Sequence, residues 1–108
     1  MTLLQETLEV LKLHNLTEKD VLWVGNRDFY TDWDNFAKIS NVKYDDGYGA
    51  QEVATDLLIV GRDWWLERHE YDGSEWWEFK KVPKQPEKKV ILEKVVGGMW
   101  DKLIDLNP

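Results

Sequence analysis

Cysteine is absent from this chain of 108 residues, which excludes a disulfide framework and any thiolate metal site, so the fold has to hold by packing. No stretch of about 18 apolar residues occurs, and the first residues lack a basic segment followed by an apolar run and small residues. Neither a secreted nor a membrane-spanning protein is expected, and a cytoplasmic one is. Positive charge is also scarce. Fourteen basic against 21 acidic residues leave a formal charge of −7, which opposes docking on phosphate backbones or anionic lipid, so no direct nucleic-acid or membrane partner is expected. The chain contains no Gly-x-x-x-x-Gly-Lys, no Gly-x-Gly-x-x-Gly after a strand and no Gly-x-Ser-x-Gly, and phosphate-cradling and serine-hydrolase chemistry fall with them. Internal repeats and low-complexity tracts are missing too, and the length fits one domain, residues 1–108, around a single core.

What the chain has in excess is tryptophan, seven residues, most of which are expected in the core because each buries a large area. Four of them flank Asp72-Gly73 in the run from Asp63 to Val82, and Asp-Gly between alternating apolar runs predicts a β-hairpin. An even loop puts Trp64, Leu66, Trp77 and Phe79 on one face, the core face, and Trp65, Glu67, His69, Tyr71, Trp76, Glu78 and Lys80 on the other. A two-residue loop would oppose Glu67 to Glu78, whereas a four-residue loop opposes Tyr71 to Trp76, His69 to Glu78 and Glu67 to Lys80. The four-residue loop is therefore favoured.

Elsewhere, Thr2-Leu-Leu-Gln5 has the capping-box form and opens a helix with Leu4, Leu8 and Leu11 packing, joined by Leu3 and Val10, while Glu6, Glu9 and Lys12 face water; Asn15 is the stop. Val21 to Val24 reads as a strand, Thr31 with Asp34 opens a short helix, and Val53 to Val60 ends in a strand covered on both faces. Tyr44 to Gly49 reads as an ordered loop. Pro83 and Pro86 make residues 83–89 a polar connector. From Lys80 to Lys89 five lysines meet only Glu87, a local +4 that leaves −11 for the remainder. Leu92, Val95, Val96, Met99, Trp100, Leu103 and Ile104 follow helical spacing, with a strand over Val90 to Val96 as the alternative because Gly97-Gly98 disfavours a helix. The architecture expected is α+β: a four-stranded antiparallel sheet, a three-stranded meander plus one strand, with the N- and C-terminal helices packed on one face.

Candidate chemistry is sparse. His69 near Glu67 and Glu78 allows a general base or a His/carboxylate metal site, with Asp45 and Asp46 as further hard-cation ligands; cross-strand pairing and turn chemistry explain the same residues. Asp63 with Glu78-Phe-Lys80 loosely imitates a metal-dependent nuclease site, on a fold too short for it. Trp65, Tyr71 and Trp76 form an aromatic platform unless the terminal helix covers them. With His69, Tyr44 and Tyr48 they make up the candidate binding surface. The expected function is non-catalytic and needs no cofactor: binding of a host or phage protein, or self-association. The alternatives are a small metal-dependent hydrolase and an acidic mimic of nucleic acid that inhibits an enzyme.

The runs Asp46-Gly-Tyr-Gly-Ala-Gln-Glu52, Asp56-Leu-Leu-Ile-Val-Gly61 and Asp63 through Phe79 resemble small phage and prophage proteins of Gram-positive bacteria. This resemblance covers about the middle third of the chain. It implies a phage accessory role in a bacterial cytoplasm and supplies no site residues.

Overall fold

A computed structural model describes residues 1–47 and 49–108; the candidate residue Tyr48 lies outside the described residues. Helix α1 (Leu3–Leu13) begins at the expected capping box, the Thr2 hydroxyl accepting from the Gln5 N–H at 3.1 Å and the Gln5 side chain accepting from the Thr2 N–H at 2.9 Å. It closes through His14 and Asn15, the latter left-handed at φ 58°, a conformation Asn tolerates at a helix end. Its buried stripe is Leu3, Thr7 and Leu11, four residues apart as a helical face requires. Leu8 is exposed, and Glu6 does not face water alone but joins an interior polar cluster.

A 3₁₀ turn (Glu18–Asp20), capped by Thr17, leads into β1 (Trp23–Gly25) and the short β2 (Tyr30–Thr31). Helix α2 (Trp33–Ile39) takes Asp32 as its N-cap, the carboxylate accepting from the Asn35 N–H at 2.9 Å. Strands β3 (Leu58–Val60), β4 (Trp64–Tyr71) and β5 (Ser74–Lys81) then form the expected antiparallel meander, and α3 (Leu103–Leu106) is a single turn.

The α+β class holds, but among the described residues the sheet has five strands, in the order β2-β1-β3-β4-β5 and antiparallel throughout. The added strand is β2, too short for alternation to show it. Across the sheet Val24, Ile59, Leu66 and Phe79 form one row on the inner face, where Leu3, Leu11 and Phe36 of the two longer helices close over them. The next row, Trp23, Val60, Trp65 and Lys80, points the other way.

The hairpin loop has two residues and not four: Tyr71 pairs with Ser74, His69 with Trp76 and Glu67 with Glu78. Asp72 and Gly73 both have positive φ, 51° and 86°, the type I′ geometry that matches the twist of the flanking strands. The like-charge pair is tolerated because each carboxylate has its own donor. Trp65 Nε1 donates to Glu67 at 2.7 Å and Trp76 Nε1 donates to Glu78 at 2.9 Å.

Three further expectations are corrected. Residues 90–102 form neither the helix nor the strand, and α3 lies exposed at the far end of an arm, away from the sheet; an amphipathic stripe without a surface to bury against, interrupted by Gly97-Gly98, does not sustain a helix. Of the seven tryptophans only Trp64 and Trp77 are buried. Strand β3 is likewise covered on one face only: Ile59 is buried, while Leu58 and Val60 are half-buried.

Candidate binding face

Two clusters of polar and aromatic groups sit on opposite faces of the hairpin. On the inner face Arg68 and Glu75 occupy positions that strand alternation places beside Trp64, Leu66 and Trp77. The guanidinium meets Glu75 at 2.9 Å and Glu6 at 3.4 Å, donates to the Tyr44 hydroxyl at 3.0 Å, and lies 4.8 Å from the Trp77 ring centroid. Tyr44 donates in turn to Glu6. Burial, with the neighbouring Glu6 carboxylate, pushes the Tyr44 phenol above its ordinary range, which keeps it protonated. Burial works to lower the Arg68 pKa, but the hydrogen bonds to Tyr44 and Glu75 outweigh it and the guanidinium stays charged.

Glu75 also accepts from the N–H groups of Glu52 and Val53, at 2.7 and 3.2 Å, and its own N–H donates to the Asp46 carbonyl at 2.9 Å. The cluster thus ties the loop after α2 to the hairpin. Asp45 accepts from the Gly47 N–H, which is turn chemistry. Tyr44 belongs to this interior cluster and stands apart from the other candidate surface residues.

The outer face carries Trp65, His69, Tyr71 and Trp76, joined by Trp23, Leu58 and Val60 from the neighbouring strands. No helix covers it. Tyr71 is 76% and Trp76 37% exposed, and Trp23 and Trp65 are half-buried. Glu67 sits at its centre, held from both sides: Trp65 Nε1 donates to one oxygen and His69 Nε2 lies 2.8 Å from the other. The indole hydrogen bond, then that of His69, holds the Glu67 carboxyl below the usual carboxylate range. A fixed negative charge therefore stands among indole rings. Next to it a cleft of about 780 Å³ runs to the β1–β2 turn, lined by Trp23, Asn26, Arg27, Asp28, Thr55, Asp56, Leu58, Val60, Trp65, Glu67 and Arg68. Asn26 donates to Asp56 at 3.1 Å across its end.

Such a surface suits recognition. Flat rings supply contact area at low entropic cost, and carboxylates held at their N–H edges add negative potential that favours a cation laid against the ring. His69 and Glu67 do meet, but Glu78 is engaged by Trp76, and Asp45 and Asp46 belong to the loop tied to Glu75. Among the described residues no group of three or more His, Asp or Glu is placed to hold a metal ion.

Trp23, Arg68 and Glu75 escaped the sequence analysis. The alternation that set Trp64, Leu66 and Trp77 inward also sets Arg68 and Glu75 inward, so parity alone was a sufficient signal for those two. Trp23 joins the face only through the β1–β3 pairing, for which the sequence carries no register signal. No protein-family model, curated protein or solved structure matches the chain, and no helix among the described residues is long and apolar enough to cross a membrane.

Proposed function

We propose that this is a non-catalytic protein-binding module whose outer sheet face is the recognition surface. The observation that carries the proposal is that face itself: Trp23, Trp65 and Trp76 accessible around a Glu67 carboxylate that is already oriented, beside a cleft large enough to seat several side chains. Pre-oriented groups lose little entropy on binding, and aromatic residues dominate the energetics of protein interfaces. The carboxylates Glu67, Asp28 and Asp56 favour a partner segment that brings lysine or arginine together with apolar side chains. The resemblance of residues 46–79 to phage and prophage proteins supports an accessory role in a bacterial cytoplasm.

The test compares the wild-type chain with the Trp65→Ala/Trp76→Ala variant as baits in a bacterial lysate, after circular dichroism shows both to be folded at the assay temperature. A protein retained by the first and lost by the second is expected. Identical capture by the two folded baits would refute the recognition face.

A further inference from the structure

The sheet and its two longer helices end at Lys81, and the chain beyond them is an arm. Residues 81–105 are exposed throughout, and the Cα radius of gyration is 18.1 Å, with a long axis of 51 Å, against about 13 Å for a compact domain of this length. The arm is not featureless chain. Asn107 closes its far end by accepting from the N–H groups of Glu93 and Lys94, at 2.7 and 3.1 Å, and donating to the Lys94 carbonyl at 2.9 Å. Leu106 packs so closely on Gly97 that a Cβ there would fall 2.4 Å from its Cδ2. Asp101 accepts from the Gly98 N–H at 2.7 Å. This closed tip displays Ile91, Val96, Met99, Trp100 and Ile104 outward, each at least 74% exposed. Large apolar side chains exposed together in this way mark a surface for interaction.

We infer that the arm of one copy lies across the outer sheet face of a second copy, and that the exchange is reciprocal about a twofold axis. The inference rests on the recognition face proposed above and names its occupant. Charge supports it: the root of the arm, Lys81 to Lys89, carries +3, while the cleft presents Glu67, Asp28 and Asp56 against Arg27, the Arg68 guanidinium at its floor being paired with Glu75 and Glu6 on the inner face. The apolar tip matches the Trp23, Val60 and Trp65 row. Geometry directs the arm to another molecule. The Val82 N–H is tied to the Asp63 carbonyl at 2.7 Å, so the chain leaves along the strand direction, and Pro83 and Pro86 stiffen the segment that would have to reverse to reach its own face. Lys80 lies opposite Trp65, so each arm starts at the margin of the face it would receive. An isologous pair therefore uses one arm and one face from each copy and leaves neither unpartnered.

Sedimentation of the full chain over a micromolar concentration series at low and high salt tests this. A dimer that weakens with salt is expected for wild type, as the charge pairing requires. Met99→Asp/Trp100→Asp, which alters only the exposed tip, should weaken it by more than about tenfold with the circular dichroism of the monomer unchanged, and so should Trp65→Ala, which also frees Glu67 and lowers melting while the monomer stays folded. Because each retains one intact element, a mixture of the tip and face variants should form a heterodimer with one restored arm-to-face contact, visible by native mass spectrometry. A wild type that stays monomeric, or a tip variant that still dimerises with wild-type affinity, overturns the inference. Monomeric wild type that still captures a lysate protein through Trp65 and Trp76 removes the self-exchange and leaves the recognition face standing; loss of both removes the two together.

Discussion

Arg68 and Glu75 meet at 2.9 Å on the inner face of the hairpin with neither side chain reaching solvent. An ion pair so placed is sensitive to the loss of one partner, because the survivor is left charged and desolvated. Arg68→Ala is expected to destabilise the chain by about 3–5 kcal/mol, read as a lower urea midpoint. Glu75→Gln keeps much of the side-chain shape and should cost less, while loosening residues 45–53 enough to speed their amide exchange.

The turn that brings these two residues together depends on Gly73 at φ 86°. An L-residue in the left-handed region costs about 1–2 kcal/mol, so Gly73→Ala should lower stability by that amount in chemical denaturation. Asp72→Asn, a residue suited to the same conformation, should be close to neutral. Equal effects of the two substitutions would argue against the type I′ turn.

The hairpin and the division of its faces were legible in the sequence because strand alternation is rigid: once Asp72-Gly73 is the turn and the loop is even, Trp64, Leu66, Trp77 and Phe79 must share a side. The loop length was not legible. Glu67 facing Glu78 argued for a longer loop, and only the structure shows each carboxylate receiving an indole N–H from its own strand. Helical spacing from Leu92 to Ile104 was real but insufficient, since a short amphipathic segment needs a surface to bury its stripe. The outer face was half visible: Trp65, His69, Tyr71 and Trp76 follow from the hairpin, whereas Trp23 arrives by long-range pairing and Tyr44 is drawn into the Arg68 cluster.

Glu67 should leave a pH signature. Its carboxyl is held below its ordinary range by the Trp65 indole and then by His69. A depressed carboxylate contributes stability that is present above the unfolded value, about 4.3, and is lost as pH falls through the lower folded value. Trp65→Phe removes the strongest donor, so the Glu67 titration followed by carboxyl NMR should move up toward the ordinary range. The difference in stability between wild type and Glu67→Gln should shrink as pH drops below about 4. An unmoved Glu67 titration in Trp65→Phe would show that the indole does not set its charge.

Thr7 is fully buried on the stripe of α1 that covers β5, and its hydroxyl serves both elements, donating to the Leu3 carbonyl at 2.7 Å and accepting from Trp77 Nε1 at 2.8 Å. Thr7→Val keeps the shape and removes the acceptor, leaving a buried indole N–H without a partner, a loss of about 1–3 kcal/mol. Trp77→Phe removes the donor as well and gives up packing against Arg68. In the double variant no unsatisfied N–H remains, so Thr7→Val should cost distinctly less there than in wild type. A double-mutant cycle by urea denaturation measures this difference, and strict additivity would mean that the Thr7–Trp77 bond contributes nothing to holding the helix on the sheet.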